Sequence, residues 1–300
     1  MNDPVITIIG PTGVGKTRIS IALAKAVDAE IISADSRQVY KYLDIGTAKP
    51  TRLERSEIRF HLIDFLEPDE SYSCGQFARD AHALLSDIPG RGSVPVVCGG
   101  TGLYIKALFE PLHELPPSQK VVKERLTREL AVLGTAGMYE RLERIDPAWA
   151  RAIKPADKQR ILRGLEVYEI TGRPLSSFIG GKKATAPFRP RYIGLHLPRE
   201  VLYRRIDQRF DAMIQAGLAD EVTSLSKIGY PWTLSIFKTI GYKEIIDHLE
   251  GRLTLEQAIT AAKRRTRNFA KRQITWFNRV PGVEWYDADK IDIDHIVNGN

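Results

Sequence analysis

The sequence predicts an α/β protein, a doubly wound parallel sheet interrupted by an α-helical insertion. Three observations carry this. Val5 to Ile9 is a continuous apolar, β-branched run that stops at a glycine, as strands buried on both faces do. The stretch after it, "GPTGVGKT" from Gly10 to Thr17, is a glycine-rich loop that leads into a helical pattern. From residue 113 to residue 187 the strand signals vanish and helical periodicity takes over.

Each element follows in order. The first helix is expected to start near Lys16, with Ile19, Ala22, Leu23 and Ala26 on its inner face. "EIIS" is a second short strand leading to Asp35, and "VPVVC" a third leading to Gly99; Phe77, Ala81, Leu84 and Leu85 mark an amphipathic helix between them. The order β-α-β-α-β implies parallel pairing with right-handed crossovers. Residues 1–112 and 188–300 are therefore assigned to the α/β core and 113–187 to the insertion, which Pro116, Gly134, Pro147 and Pro155 punctuate. "IGGKKATAPFRPR" is the return linker, "YIGLHL" restores the strand pattern, and Pro198 is placed to open the next helix. "VEWY" is the last strand expected. The acidic end "DADKIDIDHIVNGN" is expected to be peripheral.

With 43% hydrophobic and 27% charged residues among 300, the chain is globular rather than disordered. "VITIIG" is too short to span a bilayer and the first residues lack a basic signal region, so a cytoplasmic protein without a membrane partner is expected. A monomer is the expected state, although no feature of the sequence fixes it. Cys74 and Cys98 have neither C-x-x-C nor zinc spacing and read as small buried hydrophobes. The 44 cations exceed 37 anions, a net +7 that favours an anionic partner. The excess is clustered at Lys263, Arg264, Arg265, Arg267, Lys271 and Arg272; at Arg151, Lys154, Lys158, Arg160 and Arg163; and at Lys182, Lys183, Arg189 and Arg191. Beside a phosphate loop, three such clusters favour nucleic acid.

Gly-x-x-x-x-Gly-Lys-Thr between a strand and a helix is a P-loop, which makes the fold class P-loop NTPase-like. Backbone N–H groups from Gly10, Pro11, Thr12, Gly13, Val14, Gly15, Lys16 and Thr17 can surround phosphate oxygens wherever an N–H exists. Lys16 neutralises their charge, and the Thr17 hydroxyl can ligate Mg²⁺. None of these groups touches a base or a sugar, so the loop fits ATP or any other diphosphate. "SADSRQVY" is a poor Walker B segment, because Asp35 is followed by Ser-Arg-Gln instead of a hydrolytic carboxylate. A carboxylate opposite the loop reads instead as a general base for an incoming nucleophile. On these residues alone a small-molecule kinase and an RNA-binding NTP sensor stay open.

The segments "GPTGVGKT", "ADSRQVYKYLDIGTAKP", "CGGTGLYIKAL", "DKQRILRGLEVYEITGRPLS", "TIGYKE" and "TRNFAKRQITWF" together resemble the tRNA dimethylallyltransferases, the isopentenyl transferase family, over nearly the whole chain. The resemblance implies that the loop holds dimethylallyl diphosphate and that the prenyl group passes to N6 of the adenosine 3′ of the anticodon, releasing pyrophosphate. It implies further that Asp35 takes the amine proton and that Thr101 stands at the entrance shared by both substrates. Ser36 and Arg37 then face the RNA, and Gln38, otherwise polar surface, can pair with an adenine edge.

The adenosine must leave its stack to reach such a site, and by the same resemblance it enters a channel and meets the donor from the other side. Lys123, Gln159, Arg160, Ile161, Leu162 and Arg163 in the insertion, and Lys238, Thr239, Ile240, Gly241, Tyr242 and Lys243, are then expected along the anticodon stem-loop, with the insertion swinging on its Gly-Gly-Lys-Lys linker. Arg205 and Arg209, one helical turn apart, are both candidates for the diphosphate, with Arg209 favoured; the alternative is ion pairing with Asp207, Asp211 or Glu200. Ile259, Ala262, Phe269 and Trp276 read as the core stripe of the helix that carries the first basic cluster. Three residues depart from the family pattern: Phe60 where a histidine is frequent, Ala156 for asparagine and Gly164 for alanine. A zinc-finger extension, found in eukaryotic members, is not expected.

Overall fold

The computed structural model describes residues 4–110, 115–179 and 187–298. In chain order the elements are β1 (Val5–Ile9), α1 (Lys16–Val27), β2 (Ala29–Ser33), α2 (Arg52–Glu57), β3 (Phe60–His61), α3 (Cys74–Asp87), β4 (Val94–Gly99) and α4 (Gly102–Phe109). Then come α5 (Lys120–Ile145), α6 (Pro147–Ala152), α7 (Lys158–Thr171) and α8 (Ser176–Ile179). The chain ends with β5 (Pro190–His196), α9 (Arg199–Gln215), α10 (Leu218–Lys227), α11 (Tyr242–Leu249), α12 (Leu255–Phe277), β6 (Val283–Asp287) and α13 (Ile293–Asn298). By compactness it divides into two units, Met1–Glu110 with Ala186–Asn300, and Pro111–Thr185.

The first unit is built on six parallel strands in the order β3-β2-β4-β1-β5-β6. Alternation along each strand sends Ile8, Ile31, Val96 and Ile193 to one apolar layer and Ile9, Ile32 and Val97 to the other. Both faces are covered, which is why Ile8–Ile9, Ile31–Ile32 and Val96–Val97 are apolar at consecutive positions. Ile9 lies beside Gly99 of β4 and Gly194 of β5, so the loop after β1 emerges where the strand order reverses. In open α/β sheets this carboxyl edge is where ligands bind.

Three expectations need correction here. On α1 the buried residues are Ile19, Ser20, Leu23 and Ala24, whereas Ala26 is exposed. On α12 they are Ala258, Ala262, Ala270, Gln273 and Phe277, and Phe269 and Trp276 face solvent at 37% and 43% exposure. Trp276 lies about five full turns from buried Ala258, so the packed face itself shifts around α12, from Ala258 and Ala262 to Ala270, Gln273 and Phe277. The acidic C-terminal stretch is docked, not peripheral: Ile296 is fully buried, Ile291 and Ile293 pack on the core, and Arg18 donates to the Ala288 carbonyl at 2.7 Å.

The second unit has its own core of Leu126, Met138, Leu142, Ala150, Ile153, Ile161 and Leu165. Helix α5 is kinked at Gly134, whose φ of 67° with ψ of 177° breaks the helical path. Buried Asp146 caps α6 through the Trp149 N–H (3.0 Å) and also accepts from the Ser176 N–H (2.8 Å). Gly164 lies against Leu142 and Trp149, where a methyl would come within 2.7 Å of the leucine, so an alanine here requires repacking. Residues 180–186 of the return linker, with Lys182 and Lys183, lie outside the described residues, and its last two, Pro190 and Arg191, already belong to β5.

Candidate active site

The glycine-rich loop joins β1 to α1. Gly15, at φ 102°, turns the chain into the helix with no side chain capping it, so the first-turn N–H groups stay available to an anion. Val14 anchors the loop in the core. Lys16 Nζ folds back to donate to the carbonyls of Gly10 (3.0 Å) and Pro11 (2.9 Å). Burial pulls its pKa down to about 8, against the raising influence of Cys98 and Asp35, and Arg209 lowers it further.

Thr12 is gripped twice. Its hydroxyl accepts from Arg209 Nη2 at 2.6 Å, and its N–H donates to Gln273 Oε1 at 2.8 Å. Arg209 therefore reaches the loop from α9. Burial lowers its pKa as well, and the nearby Asp35 charge opposes that shift. Arg205 does not reach the loop: it is held by Asp289 at 2.7 and 2.8 Å, a partner supplied by the docked C-terminal stretch. Asp207 and Asp211, offered as alternatives, are engaged by Arg267 and Lys263 (both 2.6 Å).

Across the carboxyl edge, Asp35 follows β2. Its Oδ1 accepts from the N–H groups of Arg37 (2.8 Å) and Gln38 (3.4 Å), which fixes the carboxylate; Oδ2 has no hydrogen bond among the described residues. The Asp35 charge is felt by both Lys16 and Arg209, so carboxylate and cations share one electrostatic environment. Thr101 joins the same edge: its N–H donates to the Ala34 carbonyl (3.1 Å), and its Oγ1 accepts from the Ser36 N–H (3.0 Å). It does not cap α4, so its hydroxyl is turned to the Asp35–Ser36 segment. Cys98, buried at the end of β4, has its thiol pKa pushed up by burial.

A polar scaffold sets this segment. The Gln38 amide donates to the carbonyls of Thr47 (3.2 Å) and Ala48 (3.0 Å) and accepts from Ser33 Oγ (3.3 Å). In this arrangement its amide braces the loop from inside the protein. The loop it holds is tied down by buried Lys49, which donates to the Tyr40 carbonyl (2.9 Å) and pairs with Asp44 and with Asp64 (2.7 Å). Glu221 of α10 accepts from the N–H groups of Asp44 (2.9 Å), Ile45 (2.7 Å) and Gly46 (3.2 Å) and from the Tyr242 hydroxyl (2.5 Å). Tyr242 is thus a fully buried strut and not a surface residue.

The other expected RNA contacts divide. Lys123, Gln159 and Arg160 are exposed on the insertion, whereas Ile161 is fully buried, Leu162 half-buried, and Arg163 turned inward to Glu166 (2.7 Å) and the Pro116 carbonyl (2.5 Å). Lys238 and Lys243 are exposed, Thr239 and Ile240 half-buried, and Gly241 buried. Half of the basic cluster on α12 is neutralised, Lys263 by Asp211, Arg265 by Glu244 and Arg267 by Asp207. The missed residue is Gln273. Its Oε1 holds Thr12 and its Nε2 donates to the Gly100 carbonyl at 2.8 Å. A glutamine on the buried stripe of an otherwise small-residue helix is the signal that marks it.

A family model described as IPP transferase matches residues 38–280, well over half of the chain. The chain belongs to the IPP transferase family. This IPP transferase is 44% identical to a tRNA dimethylallyltransferase of Carboxydothermus hydrogenoformans, covering 99% of this chain and 96% of that one. It is 46% identical to the tRNA dimethylallyltransferase of a Roseiflexus species, covering 97% and 95%. Among solved structures, the tRNA isopentenylpyrophosphate transferase of Bacillus halodurans aligns with a TM-score of 0.69 at 38% identity, covering 99% of this chain and 94% of that one. A eukaryotic dimethylallyltransferase captured acting on tRNA aligns with a TM-score of 0.77 at 32% identity, covering 96% and 74%. In this IPP transferase no helix among the described residues is long and apolar enough to cross a membrane.

Proposed function

We propose that this enzyme transfers a dimethylallyl group from dimethylallyl diphosphate to N6 of the adenosine 3′ of the anticodon in tRNA. The observation that carries the reading is the pairing of a cation-lined diphosphate loop (Lys16, Arg209) with one carboxylate, Asp35, fixed across from it by backbone N–H groups. In the transfer, the bond between the prenyl C1 and the bridging oxygen breaks, the N6–C1 bond forms, and pyrophosphate departs with the bonding electrons. Lys16, Arg209 and the loop N–H groups meet the negative charge that develops on that oxygen. The exocyclic amine is a weak nucleophile because its lone pair is delocalised into the purine. Asp35 Oδ2 accepts the proton that N6 must lose, and Thr101, bound to the Asp35–Ser36 segment, lines the approach.

No group of three or more His, Cys, Asp or Glu residues among the described residues is arranged to hold a metal. Mg²⁺ keeps much of its water shell and would be held through the substrate phosphates, with the Thr17 hydroxyl at the start of α1 as its protein ligand. When bound, it neutralises charge on the departing pyrophosphate. The anticodon arm is met by exposed Lys123, Gln159 and Arg160 of the insertion and by Lys238 and Lys243. Replacing Lys123 and Arg160 with alanine is expected to weaken tRNA binding uniformly and to lower the slope of log K against log salt by about 1 per lost phosphate contact. A salt titration of tRNA affinity measures it.

Incubating the protein with unmodified tRNA, Mg²⁺ and dimethylallyl diphosphate, followed by nucleoside mass analysis, tests the reading. An adenosine heavier by one dimethylallyl group is expected. Unchanged nucleosides, together with selective ATP binding or turnover, would replace the reading with that of a kinase.

A further inference from the structure

We infer that Gln273 is a positioning residue for the transfer, its carboxamide setting the spacing between the diphosphate loop and the turn that carries Thr101. The inference rests on the prenyl-transfer reading and adds a residue to it. Helix α12 delivers the side chain, buried, into the carboxyl edge of the sheet. There the acceptor end takes the Thr12 N–H and the donor end reaches the Gly100 carbonyl, each at 2.8 Å. A Cβ at Gly100 would stand 2.4 Å from Gln273 Nε2 and 3.4 Å from Lys16 Nζ, so any side chain there would displace the carboxamide.

These bonds close a continuous path between the two halves of the chemistry. Arg209 and Gln273 hold Thr12 from opposite ends; Gln273 holds Gly100; the adjoining Thr101 hydroxyl accepts from the Ser36 N–H; and the neighbouring Asp35 is the carboxylate of the site. A neutral group that donates on one side and accepts on the other is what the two backbone partners require. An amide satisfies both without adding a negative charge beside the pyrophosphate. Ionised glutamate can only accept, and methionine, of similar length, offers neither bond of comparable strength. Anchorage of α12 rests on Ala258, Ala262, Ala270 and Phe277, so the fold does not depend on this amide.

The test compares wild type, Gln273→Met and Gln273→Glu in steady-state transfer to tRNA from about pH 6 to about pH 8.5. With both substrates saturating, Gln273→Met should lower kcat by about 10- to 100-fold, the scale on which small misplacements of reacting groups act. Its KM for the donor should stay within about threefold of wild type. Gln273→Glu supplies a readout that a packing role would not move. Burial and the bound pyrophosphate raise the carboxyl pKa against the opposing pull of Lys16 and Arg209, and the protonated acid again donates to Gly100 while accepting from Thr12. The ratio of its kcat to that of wild type should therefore rise as pH falls. A Gln273→Met enzyme with wild-type kcat, a loss confined to KM, or a ratio flat across pH would overturn the inference. If Gln273→Met does not fold, the ratio for Gln273→Glu decides alone. Wild type that transfers no prenyl group at all would instead remove the functional reading beneath it.

Discussion

Replacing Asp35 with asparagine is expected to lower kcat by about 10²–10⁴-fold, the usual contribution of a positioned general base. Affinities for tRNA and for dimethylallyl diphosphate with Mg²⁺ should stay within about threefold of wild type. The asparagine carbonyl can still accept from the Arg37 and Gln38 N–H groups that now hold Oδ1, so the turn after β2 keeps its shape. The Thr101–Ser36 contact does not involve the carboxylate and should survive unchanged. What disappears is a proton acceptor at the position of Oδ2. Single-turnover transfer with preformed complex isolates the step. A variant retaining more than about a tenth of the wild-type rate would show that N6 loses its proton elsewhere, to solvent or to the departing pyrophosphate.

The parts legible in the sequence are those whose physics is local. Val5–Ile9 announces a strand buried on both faces because four of its five positions are apolar and all five are β-branched, and the loop after it is written in consecutive residues. Asp35 is legible as a carboxylate opposite the loop, whereas Thr101 is visible only through motif resemblance, since sequence gives no direct sign that Ser36 and Thr101, 65 positions apart, share a hydrogen bond. Long-range partners explain the failures. Arg205 was a fair candidate until Asp289, from a stretch expected to be peripheral, took its charge. The bonds from the Gln38 amide to the Thr47 and Ala48 carbonyls are likewise invisible before the fold brings them together. Strand β3 is just two residues long, too short for any period to register. The α12 stripe was drawn through aromatic residues, whereas the packed positions are mostly alanine. A helix that approaches this closely leaves its large side chains outside and admits Gln273 to the site.

Lys16→Met should be the other severe substitution, lowering kcat/KM for the donor by about 10²–10³-fold through loss of a charge aimed at the leaving group. The lysine also predicts a pH dependence with a definite sign. Burial favours its neutral form, bringing the pKa from 10.5 to about 8. Below that pH the free enzyme presents an ammonium to the diphosphate; as pH rises through it, the ammonium is lost and donor capture weakens. Because kcat/KM reports ionisations of the free enzyme and free substrate, its profile for dimethylallyl diphosphate should fall above about pH 8. Once bound, the diphosphate stabilises the ammonium, so the fall in kcat should be displaced to higher pH. Lys16→Arg keeps its charge over this whole range and should lack the alkaline fall, although a planar guanidinium replaces the ammonium that now sits against the Gly10 and Pro11 carbonyls at 3.0 and 2.9 Å. If wild type and Lys16→Arg lose donor capture at the same pH, the titrating group is not Lys16, and the loop cation is charged throughout the working range.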